Sequence, residues 1–349
     1  MSLSNRSMVR ALVVTTLLAP AAALAQPDHT HPPACLGPIS TGKNSLYHTE
    51  QGVARNDLSG AATDGHYIIF DDDGGDTGFP DFGFNFVRVQ TDIPDTDGRS
   101  VPLSQNHTDL EAATYLNGYF YVTTSLSSTK TAQRLTTRFR LDGYHNQLLD
   151  EQSVDLTDQL KEALRQHFGD DWYNSWKDLA AKSGGLNIEG LSRTNSHDDA
   201  IIYGLRSPLI GGDFPADLKS GSTIFARVTH PFGTPSFDFF TVDLGGYGVR
   251  GMEWIPGMHS YVVSAGPVEK ATDYHLWQIF PNGDARPLDL PGYDQLCRPE
   301  SVIQQTKDGK EYLVVLSEDS GPECVGTPFT YIRAEILPQS ACEDNHGHH

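Results

Sequence analysis

The sequence predicts an all-β chain folded as a five-bladed β-propeller, with six blades as the alternative. Two observations carry this reading. Five segments align on a small or charged residue flanked by apolar ones, each followed by a turn and then a β-rich run. Their spacing falls between about 50 and 60 residues once one helical insertion is set aside, and such a repeat of short strands marks a propeller.

The five pairs run in chain order. Residues 57–61 precede 66–70, 109–113 precede 119–122, and 187–191 precede 200–205. Residues 249–252 precede 261–263, and 298–302 precede 312–315. Ser59, Glu111, Glu189, Arg250 and Glu300 then share one column, at spacings of 52, 78, 61 and 50 residues. The long interval holds a helical stretch, 156–182, in which Leu160, Leu164 and Phe168 recur at helical spacing. Thr157 is its N-cap candidate and Gly184-Gly185 its stop; without those 27 residues the interval is 51.

Third strands are expected at 84–89, 135–141, 223–228, 275–280 and 330–337, and fourth strands at 147–154, 237–242, 285–288 and, more weakly patterned, near Val101. The fifth unit runs out of chain, so the mature N-terminus around Ser45 to His48 is expected to supply its last strand. Closing the ring removes the edge strands that an open array would expose. Four cysteines allow three pairings. Cys35–Cys342, which ties the two ends together, and Cys297–Cys324 are preferred.

Residues 1–25 read as a secretory signal. Arg6 and Arg10 give a basic start, 11–19 an apolar core, and Ala23-Leu24-Ala25 a small-residue cleavage site. The core is too short to span a bilayer and no later stretch is longer. The mature chain is therefore expected to be exported, periplasmic or extracellular, and monomeric. Residues 26–342 form a single propeller domain carrying the insertion at about 156–183, and 343–349 a His-rich tail. The formal charge of −20 argues against nucleic acid and anionic membrane as partners, which are gripped by Lys and Arg. A small anionic molecule or a protein partner is compatible with it.

In a propeller the first strand of each blade lines the central channel, so the column becomes a ring. Three carboxylates that close cannot all stay ionised without a counter-charge. Ca²⁺ held by Ser59, Glu111, Glu189 and Glu300 is one solution; Arg250 bridging the glutamates as a plug is the other. The loops after the second strands are expected to open at the same end. They carry Asp71-Asp72-Asp73-Gly74-Gly75-Asp76, Arg206, Lys270 and Glu318-Asp319. The Asp-rich run lacks EF-hand spacing. No Gly-x-Ser-x-Gly elbow and no His-Glu-x-x-His pair occurs. Terminal histidines (His29, His31, His346, His348, His349) read as tails, and Trp172, Trp176, Trp254 and Trp277 as packing residues.

The motifs Asn187-Ile188-Glu189-Gly190-Leu191, Gly204-Leu205-Arg206-Ser207-Pro208, Leu244-Gly245-Gly246-Tyr247-Gly248-Val249-Arg250, Ser264-Ala265-Gly266-Pro267 and Pro299-Glu300-Ser301 resemble an uncharacterised bacterial family of unknown function. That resemblance implies a propeller and no established reaction. Leu58-Ser59-Gly60, the Glu111 strand and Ile255-Pro256-Gly257 bear a fainter likeness to calcium-activated nucleotidases (apyrases), which implies five blades around an axial Ca²⁺. Arg250 departs from their pattern, standing where a serine is expected. Phytase- and esterase-like propellers are similar in their Glu-Gly-Leu strand start.

Two functions follow. The preferred one is non-catalytic binding of a ligand or partner at an acidic axial site. The alternative is a Ca²⁺-dependent hydrolase of phosphate esters or anhydrides. There Glu189 would bind the metal at the reacting centre, Arg206 or Arg250 would offset developing charge, and Asp72 or Glu318 would act as base.

Overall fold

Runs such as Tyr119-Phe120-Tyr121-Val122 and Tyr312-Leu313-Val314-Val315 place aromatic and β-branched side chains on pleated backbone, where they pack well. The computed structural model describes residues 35–43, 58–72, 86–93, 99–144, 147–196, 198–211, 221–269, 273–318, 324 and 330–338. Strand β1 is Cys35–Lys43. One sheet comprises β2 (Leu58–Thr63), β3 (Ile68–Asp72), β4 (Phe86–Gln90) and β5 (Arg99–Pro102). The next comprises β6 (Leu110–Leu116), β7 (Tyr119–Thr124), β8 (Leu135–Asp142) and β9 (Gln147–Asp155). A third holds β10 (Asn187–Arg193), β11 (Ala200–Ser207), β12 (Thr223–Thr229) and β13 (Ser236–Val242). The fourth holds β14 (Gly248–Ile255), β15 (Ser260–Gly266), β16 (His275–Ile279) and β17 (Ala285–Pro287). The last is built from β18 (Arg298–Lys307), β19 (Lys310–Glu318), β20 (Thr330–Leu337) and β1.

Each sheet is four-stranded and antiparallel, and the first strands pack in a closed cycle: β2 beside β6, then β10, β14, β18 and back to β2. This is a five-bladed β-propeller. No sixth sheet is present among the described residues. The core lies between blades. Ile69, Val87 and Val101 of the first blade interleave with Leu110, Val122 and Phe139 of the second. Ile202 and Phe225 pack likewise on Val249, Val263 and Trp254. Each such side chain, fully buried, contributes roughly 1.5–3 kcal/mol.

The closing strand differs from expectation in position. β1 pairs with β20 through Ile39–Ala334, Thr41–Ile332 and Lys43–Thr330, whereas Ser45 to His48 lie outside the described residues. Gly37-Pro38 hid this strand, because both residues are poor strand formers and the register slips between Leu36 and Ile39. Cys297 and Cys324 are bonded, with Cα atoms 5.6 Å apart. Cys35 is disulfide-bonded too; Cys342, its expected partner, lies outside the described residues.

The insertion is two helices. Helix α1 (Thr157–Phe168) and α2 (Asp170–Trp176) meet at Gly169, whose φ of 94° breaks the expected single run. Thr157 is not the cap. It is the first helical residue, and its N–H donates to the Asp155 carboxylate at 2.9 Å. Leu160, Leu164 and Trp176 bury against Leu126, Leu186 and Ile188, which fixes the insertion to the second and third blades. Among the described residues no helix is long and apolar enough to cross a membrane.

Candidate functional site

In every blade the pairing between first and second strand slips beside the column residue, and in the third blade it slips a second time, between Asn187 and Ile188, where Arg206 is passed over. Leu58 and Gly60 pair with Asp72 and Asp71, leaving Ser59 as the extra residue. The same count leaves out Glu111, Glu189, Arg250 and Glu300. The aligned column is thus a ring of five β-bulges. A bulge frees its extra residue from the ladder and re-aims its side chain. The residue after each bulge is small: Gly60, Ala112, Gly190, Gly251 and Ser301. Neighbouring strands leave no room for more, since a Cβ on Gly190 would stand 2.5 Å from Val249 Cγ1, and one on Gly251 2.2 Å from the Glu300 carbonyl oxygen.

Four of the five bulge residues, Glu111, Glu189, Arg250 and Glu300, line one cavity of about 310 Å³. Ser59 is buried but is not among the lining residues. Arg206 and Glu318, near the ends of β11 and β19, reach the same cavity as expected. Asp72 ends β3; its side chain, with residues 73–76, Lys270 and Asp319, lies outside what is described.

The arginines and glutamates pair in sequence around the wall. Glu189 Oε1 accepts from Arg206 Nη1 at 2.7 Å and from Asn187 Nδ2 at 2.8 Å. Glu189 Oε2 lies 2.8 Å from Arg250 Nη1, and Arg250 Nη2 donates to Glu300. Arg298 Nη1 donates to both Glu318 oxygens, at 3.1 and 3.2 Å. Burial opposes ionisation of Glu189, but Arg206 and Arg250 outweigh it and hold its carboxyl below the usual range. Arg250 is likewise desolvated and kept charged by Glu189 and Glu300. The ring of Tyr274 lies 5.7 Å from its guanidinium carbon.

The second blade faces this wall with different chemistry. Asp109 adopts φ 67°, a left-handed conformation that Asp tolerates, and its carboxylate accepts from Ser125 and hydrogen-bonds Glu111. Burial, with help from the Glu189 charge, pushes the Asp109 carboxyl above its ordinary pKa. Ser125 Oγ bonds Ser127 Oγ at 2.8 Å, and Ser127 lines the cavity. Lys182, exposed at the end of the insertion, borders it as well. Five carboxylates and four cations therefore meet here, where sequence led to an expectation of an acidic site.

Asp109, Asn187 and Arg298 escaped sequence analysis, although each stands two residues before its column member. That second column was readable. Lys182 had no comparable signal. Among the described residues no three His, Cys, Asp or Glu side chains converge to hold a metal ion.

At the far end of the same inner strands, Glu253 is buried beside Arg193, Tyr115 and Gln304. Thr114 Oγ1 donates to Glu253 Oε2 at 2.8 Å, and Arg193 Nε lies 3.3 Å from Oε1. Burial pushes the Glu253 carboxyl up to about 8 despite both neighbours.

No protein-family model matches the sequence, and no curated protein matches it. Among solved structures the chain is similar to a luciferin-regenerating enzyme, at 9% identity over 86% of this chain and 98% of that one, with a TM-score of 0.45. It is similar to the major Malassezia sympodialis allergen Mala s 1, at 9% identity over 80% and 93%, TM-score 0.47. A DUF4623 family protein from Bacteroides eggerthii is matched at 10% identity over 84% and 58%, TM-score 0.41. Likenesses at these scores carry no functional argument, and the fold rests on the sheet topology itself.

Proposed function

We propose that this chain is a ligand-binding propeller that holds a small molecule in the axial cavity without transforming it. One observation carries the reading: Glu189 is engaged by Arg206 at 2.7 Å and by Arg250 at 2.8 Å, so the residues expected to do chemistry are committed to one another. A carboxylate held below its usual range by two guanidinium groups is a poor base. An arginine matched by two glutamates has little charge to lend a developing anion. What the paired wall supplies is a preorganised polar surface, which favours binding. The cavity volume of about 310 Å³ sits at the small end of ligand pockets, roughly 300–1,000 Å³.

A resident Ca²⁺ fits these residues poorly. The ion takes about six to eight oxygens, whereas Glu189 and Glu300 both receive Arg250, and Ser59 does not line the cavity. The Ca²⁺-dependent hydrolase is the rival to exclude. Thermal unfolding in CaCl₂ and in EDTA, beside turnover assays on nucleotides, phytate and p-nitrophenyl esters, separates the two. Binding alone expects no response to either additive and no turnover. A Tm raised by Ca²⁺ together with turnover lost in Glu189→Gln overturns it. We also propose that the chain works after export, since the Cys297–Cys324 bond suits an oxidising compartment.

A further inference from the structure

We infer that the molecule held in the axial cavity presents an organic ammonium group to Asp109 and the side-chain oxygen of Asn187. This rests on the binding reading above and narrows it to a ligand class. The arginines that suggested an anionic ligand are each answered by a glutamate: Arg206 by Glu189, Arg250 by Glu189 and Glu300, and Arg298 by Glu318. Asp109 stands apart from this pairing. Its bonds go to Ser125 and Glu111, and no ion pair reaches it among the described residues. Lys182, which is solvent-exposed, makes no ion pair with it among the described residues and acts on it only through space.

Asn187 supplies an independent sign. Its side chain lines the same cavity and is only 5% exposed. The amide nitrogen donates to Glu189, while the amide oxygen has no hydrogen-bond partner among the described residues. A buried acceptor left so is costly unless a donor arrives from elsewhere. With the Asp109 carboxyl lining the same cavity, the demand is for a donor-rich cation. A primary ammonium, with three N–H donors and a single charge, meets it.

Calorimetric titration of the full chain tests this with butylammonium, 1,4-diaminobutane and L-lysine as probes. Butanol, succinate, inorganic phosphate and CaCl₂ serve as neutral, anionic and metal comparisons. At least one ammonium probe is expected to bind, with butanol silent and affinity reduced at least tenfold in Asp109→Asn. Asn accepts a left-handed backbone, so that variant keeps its fold; Asn187→Ala, which removes the other acceptor, is expected to weaken the same probe. Ammonium probes that bind no better than butanol, or affinity unmoved in both variants, overturn the inference. Succinate or phosphate binding in their place overturns it while leaving the ligand-binding reading intact. Tight Ca²⁺ binding lost in Asp109→Asn overturns it in favour of a metal. Turnover sensitive to Glu189→Gln is the separate result that removes the binding reading itself.

Discussion

Glu253→Gln tests how the lower end of the channel is held. Glu253 is buried, and that burial pushes its carboxyl up to about 8 from an ordinary 4.5. The folded state therefore keeps a proton that the unfolded state has already released. Stability falls wherever the native state binds more protons than the unfolded one, so the window runs from about 4.5 up to about 8. At about 1.36 kcal/mol per pH unit, the full shift corresponds to about 5 kcal/mol, most of which is lost between pH 5 and pH 8. Glutamine mimics the protonated acid and has nothing to titrate. Urea unfolding of both proteins at pH 5, 6, 7 and 8 isolates this group, because every other titration is common to both. The stability difference should move toward the variant by about 1.4 kcal/mol per unit through the middle of that range, at constant m-value. Parallel curves would refute the reasoning, since they would mean that Glu253 is ionised throughout and held by Arg193 as an ordinary ion pair.

Other perturbations have equally direct readouts. Glu189→Gln leaves Arg206 and Arg250 short of a buried counter-charge and should lower urea stability by about 3–5 kcal/mol; a change below 1 kcal/mol would mean water screens the site. Gly251→Ala drives a methyl to within 2.2 Å of the Glu300 carbonyl oxygen, so a loss of about 1–3 kcal/mol or more is expected in thermal unfolding. Leu160→Ala removes the centre of the contact between α1 and the blades and should cost about 2–5 kcal/mol by denaturant titration. Replacing Cys297 and Cys324 together by Ser releases a link across 27 residues and should lower stability by about 2–4 kcal/mol, seen as a drop in Tm.

The blade repeat was legible because one position per blade carries a distinctive residue, and the bulges explain why. Glu111, Glu189 and Glu300 stand out in sequence since a residue freed from the ladder can be large and charged, while the next position must be small. The pairing of those residues was not legible. Whether Glu189 meets Ca²⁺ or Arg206 depends on the slip at Asn187–Ser207, where Arg206 is itself left unpaired in the ladder. Composition does not encode such a slip. Asp109 was hidden differently: its backbone is left-handed and its carboxylate meets Ser125, a geometry that a glycine would have advertised in sequence more plainly than an aspartate does. Lys182 arrives from an insertion whose docking depends on Trp176 and Leu164 finding the second and third blades, a tertiary event beyond local pattern.

The last blade draws strands from opposite ends of the chain, β1 beside β20. Until Cys35–Lys43 meets Thr330–Leu337, β20 presents a bare edge, and four complete blades cannot close the circle around it. The contact joins residues nearly the whole sequence apart, so forming it directly from the unfolded chain carries the largest loop-closure cost of any pairing in the ring. The pairing works as a clasp between the two sides of the ring. A chain halted before Thr330 would expose an aggregation-prone edge rather than a smaller propeller, and the cavity whose wall includes Arg298, Glu300 and Glu318 of the same blade would be left unfinished.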